Sequence, residues 1–519
     1  MKIAFLADPH LSDVEATPQE EAFNWALEEL FKIKPDACVW LGDITACGSP
    51  DAAMRFRCKI ETLPFPSVTV PGNSDLRTPH TASVMERYLL SHLDGLKIED
   101  LNIVSMDTSR DTILPKERER LSQLDLGENV ILCSHQPAKY LDAESLEFLK
   151  KWVSDCQANG KRFLLWASGH RHVYETGNFE GIPTVSIRAL DLDKCIRGSA
   201  QIYVVDIENG ALLKTEECVY SRGLPTAWTT EERQEFADFL GITCYNRYKL
   251  ERDMPFAIRN RIRHLEWRSL DEQEIPLIEE WRKNGGKSFS LHMSALDFDQ
   301  NVVGLPVFRE LARNAARAGA DMVTVHPPQI ASEEMQIGSL AYEAVADAMA
   351  EAFLPVKQAG IDILVENNHT DFGTPNDPMK CAYGCTPLDL VEWRDTLNKR
   401  LGEGSCHIRF DVGHARNNEP LSENYPIGKW YAMIGSESRA YHLHQTFHDK
   451  LENRLRNHYP ITDWHDGMVS FDGFLWAWHA GILRHGPIIL EIRESGGALT
   501  TWQRLHDLIL SESICDSRE

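Results

Sequence analysis

The sequence predicts an α/β protein with two domains: a mixed β-sheet flanked by helices, followed by a closed barrel of parallel strands. The chain has 519 residues, which is more than one hydrophobic core normally holds. Short apolar runs alternate with segments of helical periodicity along its length. Polar and ionisable residues follow many of these runs directly, as they do where parallel strands end at a ligand-binding edge.

The first domain is predicted at residues 1–222. A strand at its start is followed by Thr17 and Pro18, which form a helix cap with proline in the first turn, and then by apolar residues at helical spacing. The next apolar run ends at Gly42 and Asp43. Further strands are predicted at residues 184–187, 201–207 and 211–220, the last two joined by a turn at Glu208, Asn209 and Gly210. The pattern predicts a mixed sheet with helices on both faces.

Glycine and proline break the pattern near residue 223, so residues 223–239 are predicted to form a linker and a polar helix. The second domain is predicted at residues 240–519, with strands at residues 241–245, 264–267, 288–293, 322–326, 361–367, 407–412, 440–444 and 487–492. Helix-compatible sequence separates them, so the count is that of a (β/α)8 TIM barrel, whose active site lies at the carboxyl ends of its strands. A glycine-rich and proline-rich insertion after the fifth strand, at Cys381 to Cys385, is interpreted as an active-site lid.

Charge and hydropathy restrict the partners and the location of the protein. The sequence has 54 Lys and Arg against 78 Asp and Glu, a formal charge of −24. This charge disfavours nucleic acid as a partner without excluding it. No apolar run reaches membrane-spanning length, and a strand begins directly after Met1, so we expect a cytoplasmic protein with no membrane partner. A homo-oligomer is left open by the sequence.

Metal-ligating residue types follow five predicted strands of the first domain. They are Asp8, His10, Asp43, Asn73, His135, His170 and His172. Two divalent metals held close together can clamp a phosphate ester for in-line attack, and they need a bridging carboxylate among mixed oxygen and imidazole ligands. The pattern supplies such a set.

The ordered motifs Asp-x-His, Gly-Asp, Gly-Asn-x-Asp, His and Gly-His-x-His resemble those of the calcineurin-like metallophosphoesterase family over residues 1 to about 220. The resemblance implies α/β/β/α layers and two divalent metals, either Mn, Fe or Zn. It places Asp8, His10 and His172 on one metal and Asn73, His135 and His170 on the other, with Asp43 bridging; Asp43, Asn73 and His135 are also the implied catalytic residues. Most members have a histidine that assists the leaving group where this sequence has Ser74. A hydroxyl is a poor proton donor, so either leaving groups that need no acid are favoured or another group serves as the acid. A subset of small phosphodiesterases in the family likewise lacks this histidine, and the choice between monoesters and diesters stays open.

The predicted barrel strands also end in metal-ligating residue types. His292 follows the third strand, His326 the fourth, Glu366 the fifth, Asp411 and His414 the sixth and His442 the seventh; Glu491 ends the eighth, and His458 lies in the predicted loop after the seventh. These motifs resemble the xylose isomerase-like barrel superfamily over residues 240 to about 505. That superfamily includes sugar isomerases, epimerases and the endonuclease IV branch of abasic-site nucleases.

The second resemblance implies a divalent metal, either Mn, Zn or Co, on Glu366, Asp411, His442 and Glu491. Glu366 and Glu491 are the implied catalytic pair, one removing and one returning a proton beside a polarised carbonyl. His292, His326, His414 and His458 match further ligands of the nuclease branch, although His292 and His444 also fit ordinary hydrogen-bonded loop positions. Arg456 stands where the nuclease has an aspartate; arginine cannot bind a metal but could hold a substrate phosphate or carboxylate.

Together these features predict a bifunctional metalloenzyme, in which a dinuclear phosphoesterase is fused to a sugar isomerase-like or epimerase-like barrel. Its substrates would be small phosphate esters and sugar-like molecules, such as a phosphorylated sugar or polyol. One alternative is a nuclease or nucleotide phosphodiesterase in which both domains cut phosphodiesters. Another is a scaffold in which one or both sites are silent.

Overall fold

A computed structural model of the chain describes residues 1–77, 95–195, 198–220, 228–244, 247–268, 270–293, 305–328, 330, 335–369, 383–417, 424–449, 454–462 and 468–510. Contacts divide the chain into two compact units, Met1–Arg222 and Gly223–Glu519. Among the described helices, none combines the length and the apolar composition needed to cross a membrane.

The first unit contains two sheets. Its strands are β1 (Lys2–Leu6), β2 (Ala37–Trp40), β3 (Ser67–Thr69), β4 (Leu96–Ile98), β5 (Leu101–Met106), β6 (Asn129–Ser134), β7 (Arg162–Ser168), β8 (Glu175–Phe179), β9 (Ile182–Ser186), β10 (Gln201–Glu208) and β11 (Ala211–Val219). One sheet has the strand order β11-β10-β1-β2-β3, and the other has the order β4-β5-β6-β7-β9-β8. The sequence pattern alone predicted a mixed sheet, and the structure divides these strands between two.

Alternation along the strands explains the layers. The described helices of this unit are α1 (Pro18–Ile33), α2 (Pro50–Ile60), α3 (Pro115–Gln123) and α4 (Ala143–Ala158). In β1, Ile3 and Phe5 pack into the core between the sheets, whereas Ala4 and Leu6 pack into the core beneath α1 and α2. A further core lies between the second sheet and helices α3 and α4. The predicted α/β/β/α arrangement is therefore confirmed.

The structure contains two local features of this unit that the sequence predicts, a helix cap and a hairpin turn. Thr17 caps α1, because its hydroxyl accepts a hydrogen bond from the Glu20 amide at 3.2 Å, and Pro18 opens the helix. The turn between β10 and β11 places Asn209 and Gly210 at φ angles of 50° and 66°, as a tight hairpin turn requires.

The second unit is built around a closed barrel. Its parallel strands are β12 (Leu240–Cys244), β13 (His264–Trp267), β14 (Ser288–His292), β15 (Met322–Val325), β16 (Asp362–Glu366), β17 (Cys406–Asp411), β18 (Ser438–Leu443) and, after two further strands, β21 (Ile488–Leu490). The predicted TIM barrel is confirmed, and each strand lies within about two residues of its predicted range. The described helices are α5 (Thr230–Phe239), α6 (Arg247–Arg259), α7 (Ile275–Lys283), α8 (Leu305–Arg317), α9 (Leu340–Gln358), α10 (Pro387–Leu401), α11 (Val412–Arg416), α12 (Ile427–Ile434), α13 (Phe471–His479) and α14 (Gly497–Leu510).

Two predictions for the loops have different outcomes. The segment after the seventh barrel strand forms an antiparallel ribbon, β19 (Gln445–Asp449) and β20 (Arg454–Tyr459), so His458 lies in a strand and not in a loop. Its sequence lacks the apolar alternation that indicates a strand, which is why a loop was predicted. The predicted lid lies mostly outside the described residues, which omit residues 370–382 and with them Cys381.

Candidate metal centres

The candidate ligands of the first unit stand at the carboxyl ends of β1, β2 and β3, which are parallel neighbours in one sheet, and of β6 and β7, which are parallel neighbours in the other. Five of the seven have left-handed backbone conformations: Asp8 (φ 52°), His10 (45°), Asp43 (48°), His170 (68°) and His172 (55°). Aspartate and histidine tolerate this conformation better than most residues, and such conformations concentrate at functional sites. The chain therefore leaves the strand pleat at these positions, and turns set the directions of the side chains.

Asp43 lies between two groups of candidate ligands. Its Oδ2 is 3.6 Å from His10 Nε2, and its Oδ1 is 3.3 Å from His135 Nε2. The amide of Ser74 donates a hydrogen bond to Oδ1 at 2.8 Å, which fixes the carboxylate. Gly72 allows this approach, since a Cβ there would lie 2.0 Å from the Asp43 backbone nitrogen. Each carboxylate oxygen of Asp43 thus faces a different group.

The structure brings all seven residues together. In the first group, His10 Nε2 is 3.3 Å from His172 Nε2, which lies 4.0 Å from Asp8 Oδ1. In the second group, Asn73 Oδ1 is 2.9 Å from His135 Nε2 and 3.1 Å from His170 Nδ1. Asp8, His10, Asp43 and His172 have the ligand spacing of a cation site, and Asp8 also lies 3.6 Å from His135 Nδ1.

Protonation in this site follows burial and neighbouring charge. Burial, helped by the Lys194 ammonium, holds the pKa values of His10 and His172 well below the ordinary range, so both imidazoles are neutral and can donate a lone pair. Burial opposes the charged form of His135 as well, but the Asp43 and Asp8 carboxylates raise its pKa to about 9. His135 Nδ1 lies 2.9 Å from the Leu41 carbonyl, to which it donates, so Nε2 faces the site.

Ser74 and Lys194 both lie beside His10. The Ser74 hydroxyl is 3.4 Å from His10 Nδ1, and Lys194 Nζ is 3.3 Å from the same nitrogen. Sequence reasoning missed Lys194, which stands in an irregular segment that carries no strand or motif signal. Asp75, the acid of the Gly-Asn-x-Asp motif, holds the backbone, because it accepts from the Thr45 amide at 2.8 Å and from the Gly72 amide at 3.0 Å.

Charged residues fill the interior of the barrel beneath its candidate ligands. Glu266 and Arg409 are both 0% exposed and form an ion pair. Glu266 also accepts from Ser290 at 2.8 Å and from Thr324 at 2.9 Å, and its Oε1 lies 2.7 Å from His442 Nε2. A buried charge requires such partners. Sequence reasoning missed both residues, although a charged residue in the middle of an apolar barrel strand was an available signal.

His442 faces three carboxylates with its other nitrogen. Its Nδ1 is 3.0 Å from Glu366 Oε1, 3.0 Å from Glu491 Oε2 and 3.7 Å from Asp411 Oδ2. Its Nε2 lies 2.7 Å from Glu266 Oε1 and 2.7 Å from the Arg409 guanidinium, so Nδ1 is the nitrogen that faces the three carboxylates. The four residues of the common single-metal set are therefore neighbours.

Further histidines extend this site on both sides of Glu366. His292 Nε2 and His326 Nε2 lie 3.1 and 3.6 Å from Glu366 Oε2. His414 Nδ1 lies 3.3 Å from Glu366 Oε1, and its Nε2 lies 3.4 Å from His458 Nε2. Every barrel histidine predicted as a candidate ligand is therefore in this site.

His444 is an additional member of the site. Its side chain is fully buried, its Nε2 lies 3.2 Å from Asp411 Oδ1, and its Nδ1 accepts the backbone N–H of His458 at 3.0 Å. The sequence had left His444 open as a loop residue. A signal was available, because His442 and His444 are two residues apart and so share one side of an extended chain.

Three overlapping groups in the barrel have the ligand spacing of a cation site. They are His292, Glu366, His442 and Glu491; Glu366, Asp411 and His414; and His414, His444 and His458. Both oxygens of Glu366, Oδ2 of Asp411 and Nδ1 of His442 are buried without a hydrogen bond within the described part of the chain. Hard oxygen and imidazole donors of this kind fit Mn, Zn or Co.

Charges in the barrel site are arranged to keep the carboxylates ionised. Burial opposes ionisation of Glu366, but His442 and its neighbours hold the pKa of this carboxyl well below its usual range. The Arg268 guanidinium, which pairs with Glu491, does the same for the pKa of that residue. Sequence reasoning missed Arg268. Arg456 belongs to none of the three groups and instead lines a cavity beside His458.

Comparisons with known proteins agree with this architecture. Residues 1–198 match the family model of the calcineurin-like phosphoesterases, and residues 287–511 match that of the xylose isomerase-like TIM barrels. The probable glycerophosphodiester phosphodiesterase GpdQ of Arcobacter nitrofigilis is 26% identical over 165 residues, which is 28% of this chain and 59% of that protein. The matched region thus spans less than two thirds of the relative.

Two solved structures are similar to this chain over about half of its length. A xylose isomerase domain protein from Planctomyces limnophilus is 10% identical with a TM-score of 0.37, covering 52% of this chain and 96% of its own. A D-psicose 3-epimerase from Clostridium cellulolyticum is 12% identical with a TM-score of 0.36, covering 52% of this chain and 99% of its own. The two family matches identify a calcineurin-like phosphoesterase domain over residues 1–198 and a xylose isomerase-like TIM barrel over residues 287–511.

Proposed function

We propose that the protein is a bifunctional metalloenzyme, with a dinuclear phosphodiesterase in its first domain and a metal-dependent sugar isomerase or epimerase in its barrel. The observation that carries the proposal is the position of Asp43, whose two oxygens face His10 at 3.6 Å and His135 at 3.3 Å. A carboxylate shared in this way is what two adjacent divalent metals require. Its substrates would be small phosphorylated sugars or polyols.

In the first domain, Asp8, His10 and His172 would hold one metal and Asn73, His135 and His170 the other, with Asp43 shared. Two bound metals, either Mn, Fe or Zn, would supply charge stabilisation for a phosphate ester. The chain itself fixes the ligands, through the Ser74 amide on Asp43 and the Leu41 carbonyl on His135. The Ser74 hydroxyl cannot protonate a leaving group efficiently, which favours diesters with good leaving groups over monoesters.

In the barrel, Glu366, Asp411, His442 and Glu491 would hold Mn, Zn or Co, which would polarise a substrate carbonyl when bound. Glu366 and Glu491 lie on two sides of His442 Nδ1, each at 3.0 Å. Two carboxylates so placed suit removal of a proton from one carbon and its return at another. Arg268 pairs with Glu491 and holds it in its ionised form.

The test is hydrolysis of bis(p-nitrophenyl) phosphate and p-nitrophenyl phosphate with added Mn. The wild-type chain is compared with Asp43→Asn and Glu366→Gln, and Asp51→Asn and Glu351→Gln serve as exposed controls. We expect the diester to be the better substrate, and only Asp43→Asn to abolish its hydrolysis, because the other substitutions leave the first-domain ligands intact. Normal hydrolysis by Asp43→Asn would refute the dinuclear site.

The isomerase activity needs its own assay, in which sugars and sugar phosphates are screened for isomerisation with wild type and Glu366→Gln. We expect turnover by wild type and its loss in the variant, with first-domain hydrolysis unchanged. Metal bound in both domains without turnover of any ester or sugar would instead favour a scaffold with silent sites.

A second candidate function is phosphodiester hydrolysis by the barrel. The observation that favours it is the group His414, His444 and His458, which shares His414 with one of the Glu366 groups and provides ligands for a further metal ion. Metal analysis of His458→Ala distinguishes the two functions. An isomerase keeps its barrel metal in this variant, whereas a multinuclear hydrolase loses part of it together with its nuclease activity.

A further inference from the structure

A cavity of about 550 Å³ opens beside the barrel site. His458 forms part of its wall, together with His369, Asn417, Arg456, Arg493 and Glu494. His458 belongs to the group with His414 and His444, so the cavity borders the candidate metal ligands directly. The ring of His369 also lies 4.7 Å from that of His414, centre to centre. A molecule in the cavity would therefore touch the barrel site.

Two arginines stand on the His458 side of this cavity. Arg456 and His458 lie two residues apart in β20, and both line the cavity. Arg493 is tied to the same strand, because its backbone N–H donates to the His458 carbonyl at 3.0 Å. Among the described lining residues, two arginines stand with one carboxylate, that of Glu494.

We propose that this cavity is an anion subsite, in which Arg456 and Arg493 bind the phosphate group of a phosphomonoester whose sugar or polyol part extends toward the barrel site. This inference rests on the proposed function, because it defines the substrate of the same barrel. Arginine guanidinium groups bind phosphate oxygens through paired charge-assisted hydrogen bonds. Glu494, Asn417 and His369 supply acceptors and donors for the hydroxyl groups of such a ligand.

The chemistry of the first domain supports phosphate over carboxylate as the anion. Hydrolysis of a phosphodiester by water gives one alcohol and one phosphomonoester. A barrel that selects a phosphomonoester could thus consume the product of a phosphodiesterase in the same chain. The phosphate group carries nearly two negative charges at neutral pH, against one on a carboxylate, and a subsite with two arginines discriminates accordingly.

The experiment is calorimetric titration of the full-length chain in the Asp43→Asn background, which removes the carboxylate shared by the two first-domain groups. The probes are sn-glycerol 3-phosphate, glycerate and glycerol. We expect sn-glycerol 3-phosphate to bind more tightly than glycerate, and glycerol not to bind. Arg456→Gln and Arg493→Gln should each weaken binding of the phosphate about 10-fold, the effect of one charge-assisted hydrogen bond. Arg309→Gln, whose side chain is 51% exposed on α8, is the matched control.

The proposal is overturned if both variants bind sn-glycerol 3-phosphate as tightly as the control, or if glycerol binds equally well. Arg493 is exposed, so its variant is expected to fold even if Arg456→Gln does not. Metal content of the same preparations and of Glu366→Gln separates this inference from the proposed function. Arginine-dependent binding without barrel metal would retain the subsite and refute the metalloenzyme, whereas barrel metal without arginine dependence would refute the subsite alone.

Discussion

Replacing Glu266 with glutamine removes one negative charge from the barrel interior while keeping the shape of the side chain. Glu266 is the partner of the fully buried Arg409, and its Oε1 stands 2.7 Å from His442 Nε2. The substitution therefore leaves a cation buried without its counter-charge. It also removes the carboxylate that orients His442 toward Glu366 and Glu491.

Both effects have expected magnitudes. Removing one partner of a buried ion pair costs about 3–5 kcal/mol. For a unit of this size each kcal/mol lowers Tm by about 2–4 °C, so Glu266→Gln should lower the Tm of the barrel by about 10 °C. Removing a group that orients a metal-binding histidine typically costs about 10-fold to 100-fold in metal affinity, and we expect the same for the barrel metal.

The assay is differential scanning calorimetry with Zn titration, on the wild type, Glu266→Gln and the double variant with Arg409→Gln. Glu279→Gln, an exposed substitution on α7, is the matched control. The double variant should regain much of the lost stability, because it no longer buries an unpaired cation. It should not regain metal affinity, because His442 still lacks its partner.

A Tm within about 2 °C of the control for Glu266→Gln would show that the buried cation is not held by this carboxylate. Normal metal affinity in a folded Glu266→Gln chain would separately refute the positioning role of Glu266. The two readouts thus test the ion pair and the orientation of His442 independently.

Three further predictions concern other parts of the chain. Burial, with Lys287 and Arg263 nearby, lowers the pKa of His264 to about 4. Between pH 6.5 and 4 the folded barrel therefore binds fewer protons than the unfolded chain, so its stability should fall as the pH drops through this window. Thermal unfolding at pH 7 and pH 5 should show a smaller fall in His264→Gln than in wild type. Gly72→Ala would place a Cβ 2.2 Å from Asp43 Oδ1, and the displaced carboxylate should reduce diester hydrolysis about 100-fold in steady-state assays while barrel metal content stays unchanged. Chelation of metal should lower the free energy of unfolding by about 2.7 kcal/mol for each site that was held at 100-fold its Kd, and the calorimetric Tm of both domains should fall with it. Asp43→Asn should lose only the first-domain increment, and equal Tm values with and without chelator would contradict both metal sites.

Local pattern marks a residue that follows a strand, and it marks a charged residue inside an apolar strand as unusual, but it does not identify the partner of that charged residue. Asp43 is the first polar side chain after an apolar run and a glycine, so local pattern alone marks it. Glu266 and Arg409 lie within strands, 143 residues apart, and each is tolerated only because the barrel brings the other to it. No local pattern identifies such a distant partner. The strands that contain Glu266 and Arg409 were still predicted, because the residues flanking them are apolar.

The ribbon after the seventh barrel strand shows a second limit. Its pairing depends on the partner strand, since Phe447 and Arg456 stand opposite each other, and its own sequence is polar. Lys194 shows a third limit of sequence-based prediction, because it lies in an irregular segment and only tertiary packing brings it beside His10. The division of the first domain into two sheets depends on which strands pair and which of their apolar faces pack together. Alternation along a single strand does not contain this information.

The left-handed backbone at five of the first-domain ligands restricts how this rim could be altered by mutation. Aspartate and histidine are among the few residues with a side chain that tolerate this conformation, and they are also good metal ligands. A change at His10 or His172 to another ligand type, such as glutamate or cysteine, would add backbone strain of about 1 kcal/mol or more to any change in coordination. Backbone and metal chemistry therefore select the same residues, and attempts to alter the metal preference of this site should start from the surrounding residues.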